Sequence, residues 1–293
     1  MEHQLWRAIL AELAAIDKRR RRTCEDYSDE DIVKTWFWAV LHDRPVWWAC
    51  QRCNWPVYER HRPRPSPSTM SRRLRHPAVR KLLGELEDRV LRPCGLGPLV
   101  WALDGKPLSI SGCSKDRQAG YGRAAAAKAK GYKLHALVGF EGTVAAWRVA
   151  PMNKDEREMA RRLVARTEVK GYVLADANYD SNPLHGLCEQ RGDLQLVAPP
   201  RYGFCAGRGH RRQTPGRLRS IALLSNPQSP FGRELHKERD RIERFYGNLT
   251  NWGGGLCGLP PWVRTHRRVH RWVQAKLILS ALRRQIRNTT YVA

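Results

Sequence analysis

Gly171-Tyr-Val-Leu-Ala-Asp-Ala-Asn-Tyr-Asp180 decides how the rest of the chain is read. Residues 172–175 form a short strand-favouring run, which ends abruptly at Asp176. A carboxylate at the end of a buried strand costs free energy unless something pairs with it. Two other acids have comparable settings. Asp104 follows the apolar run Leu99-Val-Trp-Ala-Leu103, and Glu243 lies in the periodic stretch Arg239-Asp-Arg-Ile-Glu-Arg-Phe-Tyr-Gly-Asn-Leu249. Three acids on three separated segments can converge on divalent metal.

Outward from that strand, the pattern alternates between strands and helices. Residues 99–103 read as a first strand ending at Asp104-Gly105-Lys106-Pro107, and 132–138 as a second. Gly139-Phe-Glu-Gly142 reads as a hairpin turn, with a third strand over 143–149. A helix is expected over 154–168, a fourth strand over 172–175, a short helix over 183–190, and a fifth strand over 193–198 before Pro199-Pro200. The small, basic stretch 124–131 reads as a mobile loop, and 201–219 as a basic loop with little periodicity. One helix runs from Ser229-Pro230 to Gly253-Gly-Gly255, and a last one covers about 267–287. Hairpins first and parallel crossovers later give an α/β fold, a mixed five-stranded sheet flanked by helices. Ligands of such sheets gather at strand ends, where Asp104 and Asp176 sit.

The N-terminal part is expected to be mostly helical. Leu5, Ile9, Leu10, Leu13 and Ile16 recur at helical spacing, and a basic run, Lys18-Arg-Arg-Arg-Arg22, follows. Ser28-Asp-Glu-Asp31 reads as an N-cap with acids in the first turn, opening a helix with Ile32, Val33, Trp36, Phe37, Val40 and Leu41 on one face. Trp47, Trp48 and Trp55 read as core or interface bulk. Pro63-Arg-Pro-Ser-Pro-Ser68 breaks the chain, and a short helix carrying Arg72, Arg73 and Arg75 follows it. Such a helix suits recognition of a DNA groove, or equally a solvated basic face. The next helix runs from Pro77 to about Val90 and is broken by Gly95-Leu-Gly-Pro98. The expected division is a helical, basic DNA-binding or dimerisation region over 1–95, a catalytic domain over 96–255, and a C-terminal helix over 256–293 packing on the catalytic domain.

Charge narrows the class of partner. The 53 Lys and Arg against 28 Asp and Glu leave a net charge of +25, which points to a polyanion, with nucleic acid foremost. The eight cysteines follow no repeating pattern, and no secretory h-region opens the chain; reduced thiols and a cytoplasmic location are expected. No apolar run is long enough to span a bilayer, so no membrane partner is expected. Cys50-Gln-Arg-Cys53 is a lone CxxC, better read as core thiols than as half of a zinc site.

Helical spacing gives Glu243 its setting. Ile242, Phe245, Tyr246 and Leu249 share a stripe suited to packing on the sheet, and His236, Arg239 and Glu243 border it. Other readings stay open at each acid. Asp104-Gly105 is a common turn pair, Asp180 could replace Asp176 as a ligand, and Glu243 could simply pair with Arg239.

Taken together, these motifs resemble the RNase H-like catalytic domain of Asp-Asp-Glu insertion-sequence transposases, in the families numbered four and five. Asp104 in Leu-Asp-Gly-Lys, Asp176 in Ala-Asp-Ala-Asn-Tyr-Asp-Ser, and Glu243 in Arg-Asp-Arg-Ile-Glu-Arg-Phe match the family's three acids in order, and Gly131-Tyr-Lys-Leu-His135 matches its second strand. The match covers roughly 99–255. The family's Tyr-x2-Arg-x3-Glu-x6-Lys motif is kept at Arg239 and Glu243, while His236 stands at the Tyr position and Thr250 at the Lys position.

The resemblance implies that Asp104, Asp176 and Glu243 bind two Mg²⁺ ions, with Mn²⁺ able to substitute. Arg239 and His236 would be supporting residues and Lys106 and Lys133 would contact DNA, joined by Arg72, Arg73 and Arg75 if the short basic helix that carries them is read as a recognition helix. The implied activity is cleavage at transposon terminal inverted repeats followed by strand transfer into target DNA, by a homodimer on double-stranded DNA. A decayed, DNA-binding descendant and an RNase H-like nuclease are the alternatives.

Overall fold

A computed structural model of the chain describes residues 1–16, 26–92, 97–111, 114–124, 127–139, 142–201, 213–252 and 255–292, with side chains to Thr289. The basic run 18–22, most of the loop expected over 201–219, and parts of the turns at 95–98, 139–142 and 253–255 lie outside the described residues. Contacts divide the chain into two units. One comprises 1–92, 251–256 and 271–293; the other comprises 93–250 and 257–270.

In the first unit, α1 (Glu2–Ala15) and α2 (Asp29–Leu41) carry the expected apolar faces, buried at Leu5, Ile9 and Leu13 and at Ile32, Val33, Phe37 and Val40. Ser28 and Asp31 form a capping box: the Ser28 hydroxyl accepts the Asp31 N–H, and the Asp31 carboxylate accepts the Ser28 N–H. Two otherwise orphaned donors are satisfied at the start of α2. α3 (Val46–Ala49), α4 (Pro67–Arg73) and α5 (Pro77–Leu91) follow. Trp38 stacks on Trp55 at 4.9 Å, with Trp6 edge-on to both, so Trp55 belongs to the core. Trp47 is exposed.

The second unit holds β1 (Val100–Ser109), β2 (Gly120–Ala124), β3 (Ala127–Gly139), β4 (Val144–Pro151), α6 (Glu156–Val164), β5 (Gly171–Leu174), α7 (Asn182–Gln190), β6 (Leu194–Val197), α8 (Pro215–Ser225), α9 (Phe231–Lys237) and α10 (Asp240–Thr250). The strands form one six-stranded sheet in the order β2-β3-β1-β5-β6, with β4 also on β3. β1, β3 and β4 pair antiparallel, while β5 joins β1 and β6 in parallel. One face of the sheet buries Leu103, Leu137 and Val173 with Ala160, Leu163 and Val164 of α6; Leu174 and Val197 pack with Leu224 of α8 and Leu235 of α9.

Four expectations are corrected. The sheet has six strands, because 127–131, within the stretch expected as a mobile loop over 124–131, pairs with 120–124 as a ribbon. β1 does not stop at Asp104 but runs on to Ser109, since β3 pairs with it throughout. β5 pairs only with Val100–Ala102, so the later half of β1 lacks that neighbour and tolerates Pro107. α8 begins within the loop expected over 201–219 and runs on to Ser225, and the long helix expected from 229 is two, α9 and α10.

The last helix is α11 (His266–Val292). From Arg271 onward it belongs with the N-terminal helices. Trp272 lies edge-on to Trp36, Gln274 donates to Glu87 at 2.7 Å, and the fully buried Lys276 ammonium donates to Val40 O at 2.9 Å and to Asp43. That cation caps the C-terminal carbonyls of α2, where the helix dipole favours it.

Candidate active site

Asp104 and Asp176 lie just past the last paired residues of the parallel β1–β5 ladder, Asp104 within β1 and Asp176 just after β5. β5 ends at Leu174 in register with Ala102, so Asp176 and Asp104 each lie two residues past that pair. Asp176 caps a short 3-10 turn over 177–179. Its carboxylate accepts the Asn178 N–H at 2.9 Å and the Asn178 amide at 3.2 Å. This fixes the carboxylate by local backbone geometry. His236, at the end of α9, donates Nε2–H to Ala175 O at 3.0 Å and so ties that helix to the residue before Asp176.

Asp104 is partly buried, and its Oδ1 accepts the Gly105 N–H at 2.7 Å. Burial pushes its carboxyl up to about 6. The Gly105 bond opposes that rise, Asp176 and Glu156 add to it, and Arg239 lowers it. The electrostatic neighbourhood of Asp104 therefore contains Asp176, Glu156 and Arg239. Glu156 opens α6 and forms an ion pair with Lys133 of β3. Lys106, two residues on from Asp104, has its ammonium 5.9 Å from the Tyr246 ring centre, and burial lowers its pKa.

Glu243 sits differently. The stripe Ile242, Phe245, Tyr246 and Leu249 is buried as the spacing requires, and Tyr246 donates its hydroxyl to Asp104 O at 2.9 Å. This bond anchors α10 to the strand that carries Asp104. Glu243, on the border of the stripe, is 62% exposed and accepts Arg239 Nη2 at 3.1 Å. The break between α9 and α10 puts His236 on a different helix from Glu243, so the two do not share one strip. Thr250 returns its hydroxyl to Tyr246 O at 2.7 Å.

Among the described residues, no three His, Cys, Asp or Glu side chains gather closely enough to hold a metal ion. The donor chemistry nonetheless suits a hard divalent cation, because the acids offer oxygen alone. Asp104 is moreover a desolvated carboxylate in the field of two others, an arrangement a cation relieves. Glu156 and Tyr179 escaped the sequence reading, which placed Tyr246 on the packing stripe without its bond to Asp104 O. Tyr179 is fully buried, its hydroxyl has no hydrogen-bond partner, and Asp104, Glu156 and Asp176 all act on it. Only the Asn-Tyr-Asp context hinted at it, and nothing local marks Glu156.

The arginines expected to contact DNA separate on α4. Arg72 and Arg75 are exposed, and together with Ser68, Ser71, His76 and Pro77 they line an open cavity. Arg73 points inward: it is buried and pairs with Asp29 at 2.7 Å, so it ties α4 to the start of α2. Lys133 is likewise engaged, with Glu156. Cys50 and Cys53 are free thiols, and burial pushes Cys50 up to about 11. No helix among the described residues is long and apolar enough to cross a membrane.

Comparison with known proteins adds a family. A family model described as "Transposase DDE domain" matches residues 95–282. No curated protein matches the chain. Solved structures that resemble it include two transposition or integration complexes. A piggyBac transposase synaptic complex with hairpin DNA aligns with a TM-score of 0.44 at 11% identity, covering 97% of this chain and 71% of that one. A simian T-cell lymphotropic virus intasome in complex with PP2A regulatory subunit B56 gamma aligns with a TM-score of 0.24 at 15% identity, covering 67% of this chain and 66% of that one.

Proposed function

Because the chain belongs to the family defined by the transposase DDE domain, we propose that it is the transposase of an insertion sequence, cutting the element's terminal inverted repeats and joining them to target DNA. The observation that carries this reading is Asp104, a desolvated carboxylate in the field of Asp176 where the parallel β1–β5 pairing stops, inside the matched range. Asp104, Asp176 and Glu243 are the acids assigned to the chemistry. Divalent Mg²⁺ or Mn²⁺, when bound by these acids, supplies Lewis-acid activation of the attacking oxygen and stabilisation of the leaving one. The chain's own residues hold the reacting groups. Asp176 is fixed by its turn, Asp104 by Gly105 and by the Tyr246 anchor, and Arg239 offers a guanidinium to a phosphate beside them. Water opens the phosphodiester at the element's end, and the freed 3′-hydroxyl then attacks a target phosphodiester. A homodimer holding two DNA ends fits this sequence of steps.

A plasmid carrying the inverted repeats that flank the gene tests the proposal. Mg²⁺-dependent nicking and joining by the wild type, abolished by Asp176→Ala, is the expected result; joining that survives Asp104→Ala and Asp176→Ala overturns the assignment. A second reading, a decayed transposase that binds ends without cutting them, draws on the exposure of Glu243 and its pairing with Arg239. End binding without cleavage at any divalent-metal concentration would establish it.

A further inference from the structure

We infer that the ribbon formed by β2 and the start of β3 is a second DNA-contacting element, which grips the phosphate backbone of duplex DNA through Arg123 and Lys128 on one face. The inference rests on the transposase reading above. It starts from register. Directly paired residues of an antiparallel ladder share a face, and side chains alternate along each strand. Tyr121 pairs with Lys130 and Arg123 with Lys128, so these four side chains occupy one face. The opposite face carries Gly120, Gly122, Ala124, Ala127, Ala129 and Gly131.

That small-residue face is covered at Gly120 and Gly122. A Cβ built on Gly120 would come within 2.2 Å of Asn153 Oδ1, and one built on Gly122 within 2.7 Å of Met152 O. The segment leaving β4 thus lies flush against the ribbon, and glycine permits the approach. The charged face is thereby turned outward. Tyr121 is 57% exposed, and Arg123 and Lys128 are exposed. The Lys128 and Lys130 ammonium groups lie 5.7 and 6.0 Å from the Tyr121 ring centre. Lys130 also donates to Ser114 O at 2.8 Å, which holds the stem of the ribbon in place.

The arrangement works against the ribbon's own stability. Arg123 directly opposite Lys128 is a like-charge cross-strand pair, which destabilises a two-stranded ladder. A polyanion removes that repulsion. A two-stranded ribbon fits the major groove of duplex DNA, and cations along its face meet phosphates.

Anisotropy titrations of a labelled random-sequence duplex between about 50 and 200 mM salt test this. The variant Arg123→Ala/Lys128→Ala is expected to bind roughly tenfold more weakly at the low-salt end, with a slope of log K against log salt shallower by about two. The exchange Arg123→Lys/Lys128→Arg is expected to keep both values. Lys128→Glu places opposite charges across the ladder, so it is expected to keep or raise the melting temperature while weakening DNA binding. Unchanged affinity and slope in the double alanine variant, or weakening confined to structured RNA, would overturn the inference. If the wild type cuts and joins plasmid DNA while the ribbon variants bind normally, only the ribbon assignment fails. If the wild type binds no duplex, the transposase reading fails first.

Discussion

Asp104 retains its proton to about pH 6 in the folded chain, against 3.8 for an unperturbed aspartate. Between those values the folded state binds more protons than the unfolded one, so stability falls as pH rises through the window. Above it the ionised carboxylate is a constant penalty of no more than about 3 kcal/mol, reduced by whatever solvent reaches it. Asp104→Asn is therefore expected to raise the melting temperature at pH 8. The gain should shrink as pH falls through 6 and vanish near 4. Mg²⁺ should stabilise the wild type at pH 8 and the Asn variant less. Calorimetric melts over that range check both, and a gain independent of pH would place its cause in packing rather than charge. The sequence showed that Asp104 ends an apolar run, and that was enough to single it out. It could not show Glu156, which reaches the same field from a different element through Lys133.

Elements were legible where one face is apolar and the other is not. The stripe of α10 was read from spacing alone, and its four members are buried. α8 was missed because its buried face is Gly216, Ser220, Ile221 and Leu224, half of it small or polar, so no stripe stands out. The ribbon of β2 and β3 was missed for a related reason: it alternates between small and basic residues, a pattern that a solvated loop shares. Two substitutions test how elements are held. Tyr246→Phe removes the hydroxyl that binds Asp104 O, with an expected cost of about 1–2 kcal/mol and a fall in strand transfer out of proportion to DNA binding. Denaturant titration beside the joining assay would detect both. On α4 the prediction divides neighbours. Arg73→Ala breaks a half-buried pair with Asp29 and should destabilise the first unit by about 1–2 kcal/mol, whereas Arg72→Ala should leave stability within about 0.5 kcal/mol. If Arg73→Ala instead weakened DNA binding at unchanged stability, its side chain would have to turn outward to serve the DNA.

A net charge of +25 on 293 residues acts on the whole molecule in two opposed ways. It draws the chain to any duplex, because each neutralised phosphate releases counterions, and that gain fades as salt rises. It also strains the free protein, since like charges repel across a compact body and a high net charge destabilises it. Salt bridges such as Arg217 with Asp180, at 2.7 Å, offset part of that repulsion, but cations outnumber acids by nearly two to one. Raising salt from about 50 to 200 mM should therefore weaken non-specific duplex binding by a factor of about 10³ or more, while raising the melting temperature of the protein alone. The opposite signs separate the two effects. Scanning calorimetry and anisotropy on one preparation measure them together. A melting temperature that fell with salt would show that the ion pairs contribute more to stability than the summed repulsion removes, and the excess charge would then be held at little cost to the fold.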